Sequence, residues 1–522
     1  MKKSILFTLF LALSLSNFAQ WANVLNPYSS SAFAASVAVD QQGYIYSAGY
    51  AFKNSTEKDN YFLVKYTSLG DTLWTRKYNR SNQLDQIVKI IVDADNNVIV
   101  TGTSNSSTNG DDIVTLKYNP NGDVLNTYIF DGTNHLADKA LDVFKDTDGN
   151  YYIAGTTRLT AQNGYALIKT NSALQRKWAR TFTAHYGAVP RNTDYNSAEQ
   201  KIAITGNLTD WDNRFLIGTI VYDSAGTKLW DHYYRIIDDR SAVGFDVAFG
   251  TDQSVYVCGY EANAVSNKWD AILVKYNSTG DTLWTRKFYA NNKMLAVFKS
   301  IIVDQSGNVF TTGMWENTVI TAKYNSNGDQ LWLNEHAGKE SFSTSDTRES
   351  IKMDNSGNIL VMARNFHAAG GGVMLIKYSS AGNHLWTKYY NGSASQMDEP
   401  IAFGIDATNS VYIAANSRNS NFYMELATIK FTPNSPTSIN SNEFYNYLQV
   451  YPNPSCGSVN FIPFKSKSLS LKVFSNIGQL VHSERVVEGQ GNINLNHLPN
   501  GIYSMVFSNL HQRFYSKIVI QK

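Results

Sequence analysis

Apolar and polar residues alternate along this chain in short runs, a pattern typical of β-strands in packed sheets. Two examples are residues 98–102 (VIVTG) and 412–415 (YIAA). Many runs end at a turn signal in which Asp or Asn stands three residues before Gly, as at Asp40 and Gly43. Asp opens such a turn by bonding its own backbone, and Gly accepts the positive φ that closes it. The pattern therefore predicts an all-β chain of consecutive hairpins.

The hairpins belong to a repeat whose two best copies are nearly identical. Residues 273–287 (LVKYNSTGDTLWTRK) recur at residues 63–77 as LVKYTSLGDTLWTRK. Weaker copies bring the count to eight, from about residue 35 to residue 432, at a spacing of about 52 residues. Each copy contains one hairpin that turns at Asp-x-x-Gly and a second that turns at Asn-x-x-Gly-Asp. Since four strands per repeat indicate a β-propeller blade, we predict an eight-bladed β-propeller over residues 20–432.

The eighth copy lacks its fourth strand, and the start of the chain offers a replacement. Trp21 precedes Asp40 by nineteen residues, as Trp74 precedes Asp93. Because the tryptophan lies on the fourth strand of the repeat, we predict that residues 21–25 form the outermost strand of the last blade. Closure in this way would remove an exposed sheet edge. Both hairpin turns would then lie on one face and the variable loops, where recognition is usually placed, on the other.

The predicted propeller is flanked by segments of different composition. Residues 1–19 combine basic residues with a short apolar stretch, as in a secretory signal peptide. Residues 433–444 are rich in Pro, Ser and Asn and form a predicted linker. Residues 445–522 leave the repeat and contain seven short apolar runs, which predict a small Ig-like β-sandwich. No later apolar stretch is long enough to predict a transmembrane segment.

The C-terminal segment contains several motifs in a fixed order. They comprise Tyr451, Pro452, Asn453, Pro454, Gly457, Gly478, Gly501, Tyr503, Lys517 and Lys522. In these residues the segment resembles the type A sorting domain of the type IX secretion system of Bacteroidetes. The resemblance implies that the secretion machinery is a partner. It also implies passage through the periplasm, followed by release as a secreted protein or display at the outer-membrane surface.

The repeats share a core of the form Val-Asp-x-x-Gly-Asn, seen at residues 303–313 (VDQSGNVFTTG). In this core they resemble the exported bacterial β-propeller repeat known as SBBP. The name of that family implies seven blades, whereas eight copies are counted in this chain. The resemblance says little about a ligand.

Charge and cysteine content narrow the classes of partner. The formal net charge is +2, so nothing favours nucleic acid or an anionic membrane. The two cysteines, Cys258 and Cys456, stand in different predicted domains, and we expect no disulfide between them. We expect a monomer that is held together by burial of apolar side chains.

Motifs for catalysis or for cofactor binding do not emerge from the sequence. The histidines are dispersed and Gly-x-Ser-x-Gly is absent, so we predict no catalytic, cofactor or metal residues. Asp93 and Asp146 open segments that superficially resemble a calcium loop, but both fall on the hairpin turn shared by the repeats. Loop carboxylates leave one alternative open, an extracellular polysaccharide hydrolase or lyase. They are Asp59, Asp111, Asp112, Asp210, Asp212, Asp270, Asp346, Glu349, Asp398 and Glu399.

Four aromatic residues depart from the tryptophan position of the repeat and fall on or beside the variable loops: Trp211, Trp269, Trp315 and Phe366. Aromatic rings beside Asn and Asp suit sugars, which stack on the ring and bond through their hydroxyls. Packing between blades is the other interpretation of each ring. The leading hypothesis is a binding or interaction scaffold for a glycan or a protein, and an enzymatic role is less favoured. A quinone-dependent dehydrogenase ranks third, because no metal-ligand set supports it.

Overall fold

The computed structural model describes the chain from residue 21 to residue 522, with internal gaps. It leaves out residues 108–109, 161, 184–185, 236–240, 264–267, 290–293, 338–348, 366–371, 393–396, 434–445, 448–449, 452–454, 462–467, 476–478, 488–490 and 509–512. The predicted signal peptide and nearly all of the predicted linker lie outside the described residues. Every described element longer than a bridge is a β-strand, and none of the described residues forms a helix able to cross a membrane. The chain forms two compact units, divided between residues 436 and 437.

The described strands of the first unit form eight four-stranded sheets, which we number in chain order. The first strand in the chain, β1 (Trp21–Leu25), belongs to sheet 8. Sheets 1 to 4 consist of β2 (Ala32–Val39), β3 (Ile45–Phe52), β4 (Asp59–Tyr66) and β5 (Thr72–Tyr78); β6 (Asp85–Val92), β7 (Val98–Ser106), β8 (Gly110–Tyr118) and β9 (Val124–Phe130); β10 (Asp138–Lys145), β11 (Tyr151–Arg158), β12 (Asn163–Thr170) and β13 (Arg176–Phe182); and β14 (Ala188–Asn196), β15 (Lys201–Thr209), β16 (Phe215–Asp223) and β17 (Lys228–Tyr234). Sheets 5 to 8 consist of β18 (Ala242–Phe249), β19 (Val255–Asn263), β20 (Lys268–Tyr276) and β21 (Thr282–Phe288); β22 (Ala296–Val303), β23 (Val309–Trp315), β24 (Thr318–Tyr324) and β25 (Gln330–Ala337); β26 (Ile351–Met353), β27 (Ile359–Asn365), β28 (Gly372–Tyr378) and β29 (His384–Tyr390); and β30 (Asp398–Ile405), β31 (Val411–Arg418), β32 (Met424–Phe431) and β1.

The order of the strands defines two faces of the first unit. In sheets 1 to 7 the four strands pair antiparallel in chain order. The first strands of neighbouring sheets lie against one another, as β2 does against β6 and β30, so first strands are central and fourth strands are peripheral. The turns after the first and third strands share one face, which we call the turn face. The connections after the second and fourth strands share the opposite face, which we call the loop face.

The aspartates of the first hairpin close turns, as the sequence predicts. Oδ1 of Asp93 accepts hydrogen bonds from the amides of Asp95 and Asn97 at 2.9 and 2.8 Å. Its Oδ2 lies 3.1 Å from the ammonium of Lys117, the lysine of the same repeat. Burial raises the pKa of Asp93, but the hydrogen bonds from Asn97 and Lys117 outweigh burial and hold the pKa below its usual range. This carboxylate is therefore fully used by the protein, and the interpretation as turn chemistry holds.

The lysine and the tryptophan of the repeat join each sheet to its successor. Lys65 Nζ and Trp74 Nε1 both donate a hydrogen bond to the carbonyl oxygen of Pro120, each at 3.1 Å. Pro120 lies in the turn between β8 and β9 of sheet 2. The same two donors meet one carbonyl at two further junctions, Lys275 and Trp284 at Ser326, and Lys323 and Trp332 at Ser380. The repeated tryptophan is thus part of the contact between sheets. Its position on the fourth strand aims the ring at the next turn.

The glycine of the Asn-x-x-Gly-Asp turn is required by this contact. Gly280 has a φ of +92°, and a Cβ atom there would lie 2.8 Å from the ring of Trp230 in the preceding sheet. Both a left-handed backbone and the closeness of the ring exclude a side chain. The repeat keeps Gly and Trp together because each occupies the space that the other leaves.

The pairing predicted for the start of the chain is present. Strand β1 pairs antiparallel with β32, with Trp21 opposite Lys430. Trp21 Nε1 and Lys430 Nζ both donate to the carbonyl oxygen of Ser68 in sheet 1, at 3.1 and 2.9 Å. Sheets 8 and 1 also share a buried core that includes Tyr66 and Tyr412. Sheet 8 is therefore joined to sheet 1 by a tryptophan and a lysine equivalent to those that join sheet 1 to sheet 2.

The second unit is a sandwich of two sheets. Its strands are β33 (Asn446–Tyr447), β34 (Val450–Tyr451), β35 (Ser458–Phe461), β36 (Ser468–Ser475), β37 (Leu480–Val487), β38 (Asn492–Asn494), β39 (Gly501–Ser508) and β40 (Arg513–Ile520). One sheet has the order β33-β40-β39-β36-β37 and the other β34-β35-β38. Both sheets contribute to one buried core, for example through Phe461 and Phe507, whose ring centroids are 5.1 Å apart.

Candidate functional site

Trp211, one of the predicted ligand-face residues, stands on a tight turn of the loop face between β15 and β16. Oδ1 of Asp210 accepts hydrogen bonds from the amides of Asp212 and Arg214 at 2.9 and 3.0 Å. Asn213 completes the turn with a φ of +60°. The turn holds its backbone through Asp210 and leaves the Trp211 side chain 63% exposed.

Arginines reinforce the carboxylate that organises this turn. Arg214 and Arg235 place guanidinium nitrogens 2.9 and 3.3 Å from Oδ2 of Asp210. Burial raises the pKa of Asp210, but hydrogen bonds from Arg214 and the Asp212 amide outweigh burial and lower the pKa. The turn is therefore held by a charged carboxylate at neutral pH.

A second aromatic ring lies beside Trp211. The Tyr186 ring meets the Trp211 ring edge to face, with centroids 5.6 Å apart and an interplanar angle of 89°. Tyr186 is held by the backbone, because its amide donates to the Thr209 carbonyl and the Thr209 amide donates to the Gly187 carbonyl. Tyr186 is 52% exposed. Two exposed rings, carried by different connections, are thus fixed relative to each other.

Tyr186 lines a cavity of about 370 Å³ between sheets 3 and 4, which we call the 3–4 cleft. Trp211 stands beside the cleft through its ring contact with Tyr186. Its lining combines aromatic, amide and guanidinium groups from both sheets: Arg158, Gln162, Asn163, Tyr186, Asn207, Thr209 and Phe215. The cleft offers both hydrogen-bond donors and acceptors beside a flat apolar surface. This is the combination that sugar rings require.

The other predicted aromatic residues are packed or lie outside the described residues. Trp269 stacks on Tyr260 with ring centroids 4.6 Å apart. Trp315 meets Phe288 edge to face at 5.4 Å and packs against a core between sheets 5 and 6. Trp315 therefore packs between sheets 5 and 6, whereas Trp269 packs on the neighbouring strand of its own sheet. Phe366 lies outside the described residues.

A larger cavity of about 760 Å³ lies along the central first strands of the first unit. Lys89 forms an ion pair with Glu349 and lies 3.8 Å from Oδ1 of Asp142. Lys352 pairs with the other oxygen of Glu349. Asp142 also accepts a hydrogen bond from the Thr193 hydroxyl at 2.6 Å. Asp142 and Glu349 are thus engaged by lysines and a hydroxyl, and Glu399, a third carboxylate of the lining, accepts a hydrogen bond from Asn416 at 3.4 Å. These contacts do not resemble a pair of groups poised as acid and base.

The carboxylates considered for an enzymatic role are distributed over many sheets. Those described belong to sheet 1 (Asp59), sheet 2 (Asp111, Asp112), sheet 4 (Asp210, Asp212), sheet 5 (Asp270), the connection before β26 (Glu349) and sheet 8 (Asp398, Glu399). Asp398 is used structurally, since it accepts hydrogen bonds from the Gly392 amide at 2.6 Å and the Ser417 hydroxyl at 2.5 Å. Asp346 lies outside the described residues.

The sorting-motif residues that are described lie in the second unit. Gly457 has a φ of +121°, and a Cβ atom there would lie 2.1 Å from Asn496. The buried Tyr503 donates its hydroxyl to the Pro499 carbonyl at 2.8 Å, and Lys522 Nζ donates to the Asn496 carbonyl. These contacts are structural, so the motif shapes the sandwich. Tyr451, Gly501 and Lys517 lie on β34, β39 and β40, whereas Pro452, Asn453, Pro454 and Gly478 lie outside the described residues.

Comparison with protein families identifies the C-terminal region. Residues 449–521 match the family described as the secretion system C-terminal sorting domain. The match covers the second unit only. A sorting domain of this kind supports export of the chain, as the resemblance in the sequence implied.

Comparison with curated proteins and with solved structures gives distant matches that cover most of the chain. The chain is 23% identical over 451 residues to an uncharacterized WD repeat-containing protein, L264, of Acanthamoeba polyphaga mimivirus. The match covers 74% of this chain but only 28% of that protein. Sqt1 of Chaetomium thermophilum matches with a TM-score of 0.52 at 8% identity, over 80% of this chain and 98% of that one. These similarities support the β-propeller fold and nothing beyond it. A polysaccharide lyase, Uly1, matches with a TM-score of 0.43 at 8% identity, over 81% of this chain and 94% of that one, which supports no argument about activity.

Proposed function

We propose that this exported β-propeller is a binding module that takes a carbohydrate in the 3–4 cleft. The observation that carries the proposal is an exposed pair of rings: Tyr186 lines a cavity that also has amides and an arginine in its lining, and Trp211 is fixed against Tyr186. Exposure of an aromatic ring to water is unfavourable in free energy, and a bound partner that covers the ring removes this cost. Here the backbone hydrogen bonds around Asp210 hold one of the two rings outward.

The chemistry of the cleft suits a sugar better than an apolar ligand. A sugar ring presents C–H groups to an aromatic face and hydroxyls at its edge. Asn163 and Asn207 supply amides, and Arg158 adds a guanidinium at the same border. The volume lies at the lower end of the roughly 300–1,000 Å³ range of ligand pockets, which suits a short segment of a polysaccharide.

Affinity electrophoresis against a panel of soluble polysaccharides tests the proposal, followed by calorimetry with the retained one. We expect Trp211→Ala to weaken binding at least about tenfold, which corresponds to about 1.4 kcal/mol. Tyr289→Ala is the matched control, because Tyr289, which directly follows β21 of sheet 5, is another exposed aromatic residue beside the loop face, 58% exposed. Retention of the ligand by the Trp211 variant, or no retention of any polysaccharide by the wild type, would contradict the proposal.

The enzymatic alternative has less support, because the described carboxylates are spread over several sheets and Glu349 in the central cavity is ion-paired with Lys89 and Lys352. It is tested with the same panel by measuring new reducing ends or unsaturated products. Product formation that is lost in Glu349→Gln would replace the binding module with a hydrolase or lyase. A ligand that binds without turnover would favour the binding module.

We infer that export depends on the second unit, with the predicted boundary at residue 445. Deletion of residues 445–522 is expected to leave the propeller in the periplasm. Immunoblots of periplasmic, outer-membrane and culture-medium fractions measure this. The full-length chain in the same fractions also decides between release and surface attachment. Normal appearance of the truncated chain outside the cell would contradict the inference.

We further infer that the eight sheets form one closed ring of eight blades. The inference is supported by the pairing of β1 with β32 and by the donors that Trp21 and Lys430 share at Ser68. With β1 in place, the outer edge of β32 is paired, and sheet 8 has four strands like the other sheets.

A further inference from the structure

The junction of sheets 2 and 3 brings three carboxylates together on the loop face. Asp112 lies on β8, Asp131 directly follows β9, and Asp138 is the first residue of β10. Each places an oxygen within 4.8 Å of those of the other two. Asp112 and Asp138 have no exposed surface. Two of the three charges therefore lie where water does not solvate them.

Asp112 carries one oxygen that the described protein groups leave unsatisfied. Its Oδ2 accepts a hydrogen bond from the guanidinium of Arg80, but its Oδ1 is buried and has no hydrogen-bond partner among the described residues. Burial raises the pKa of Asp112; Arg80 lowers it, and the nearby Asp131 and Asp111 raise it further. A buried carboxylate oxygen without a donor costs free energy unless a cation or a donor reaches it.

The repeat indicates that the fold does not require three carboxylates at such a junction. At the junction of sheets 1 and 2, the equivalent positions hold Asn60, Asn79 and Asp85. One carboxylate and two amides are sufficient there. Arg80 pairs with one of the two additional carboxylates, Asp112, and His135 contacts the other, Asp131. The three carboxylates still lie close enough to repel one another, which opposes folding unless a cation joins them.

We propose that Asp112, Asp131 and Asp138 bind a calcium ion. Calcium prefers oxygen ligands, carboxylates above all, and accepts irregular geometry. Oδ2 of Asp131 also contacts Nδ1 of His135 at 2.6 Å. With that imidazole neutral, three carboxylates opposed by Arg80 leave a formal charge of −2, which one calcium ion balances. The ion would meet the unsatisfied oxygen of Asp112 and connect sheet 2 to sheet 3. Extracellular calcium modules bind with a Kd of about 10⁻⁴–10⁻³ M, which suits an exported protein.

Calorimetric titration of the full chain with calcium chloride, after treatment with a chelator, tests the proposal. We expect one site with a Kd of about 10⁻⁴–10⁻³ M and a rise in the unfolding temperature when calcium is added. Asp131→Asn should weaken binding at least about tenfold and abolish the thermal shift. This variant leaves the pair of Arg80 and Asp112 intact. The matched control is Asp123→Asn, an exposed carboxylate on the turn face of the same sheet, which should bind as the wild type does.

No calcium binding by the wild type, or unchanged binding by the Asp131 variant, would overturn the proposal. Equal affinity for magnesium would overturn the assignment to calcium, because magnesium demands a stricter octahedral site. Circular dichroism confirms that each variant is folded. If Asp131→Asn does not fold, the titration is repeated with Asp138→Asn, for which unchanged affinity again overturns the proposal.

Discussion

Replacement of Trp21 by alanine tests whether the start of the chain completes the last sheet and joins it to the first. The ring of Trp21 packs against the turn at Gly70, where a Cβ atom would lie 2.8 Å away, and its centroid is 5.9 Å from that of Tyr66. Full burial of such a ring is worth about 3–5 kcal/mol on truncation. Trp21 is half-buried, so we expect about 2 kcal/mol from packing. The lost hydrogen bond to Ser68 adds about 1 kcal/mol.

Urea unfolding of Trp21→Ala beside Trp284→Ala measures this loss of about 3 kcal/mol. Trp284 is the matched control, because it is also half-buried and donates to the equivalent carbonyl between sheets 5 and 6. The two variants should lose similar stability. Hydrogen exchange should also rise in β32 for the Trp21 variant alone. A Trp21 variant as stable as the wild type, beside a destabilised Trp284 variant, would refute the reasoning.

Two further predictions concern the turn face. Gly280→Ala should cost about 2–4 kcal/mol, because strain at positive φ adds to a clash with Trp230. Gly149→Ala, whose Cβ would meet nothing within 4 Å, should cost only the strain, and equal urea midpoints for the two variants would contradict this account. Burial raises the pKa of Asp354, but Lys377, whose Nζ lies 2.6 Å away, lowers it below its usual value of 3.8. A depressed folded-state pKa gives stability that is present above pH 4 and lost as the pH falls, so Asp354→Asn should flatten the acid branch of the pH–stability curve.

Much of the fold could be predicted because the sequence pattern of each strand and turn recurs in several copies of the repeat. Trp21 matched the position of Trp74 in the repeat, and the structure pairs its strand with β32. The turn at Asp93 was identified for the same reason. The assignment of the repeats to the SBBP type stays a prediction.

The candidate sites could not be predicted in the same way, because they depend on which connections meet. Trp211 and Trp269 look alike in the sequence. In the structure Trp269 stacks on Tyr260, whereas Trp211 stays exposed at the loop face. Tyr186 was missed, since its connection reaches Trp211 only through the backbone pairing at Thr209. The grouping of three carboxylates between sheets 2 and 3 has the same origin. The signal available in the sequence was that Asp112 and Asp131 replace the asparagines found at the equivalent positions of the preceding repeat.

The pairing of β1 with β32 also determines how late in the folding of the chain sheet 8 can be completed. Trp21 and its partner Lys430 are about 400 residues apart, whereas each of sheets 1 to 7 draws its strands from one stretch of chain. The entropy of closing so long a loop grows only with the logarithm of its length, so the equilibrium cost is modest. The order of synthesis also matters, because β1 has no pairing partner until almost the whole propeller has been synthesised. A chain that ends before β32 (Met424–Phe431) has no partner for β1, so that strand would keep an unpaired edge.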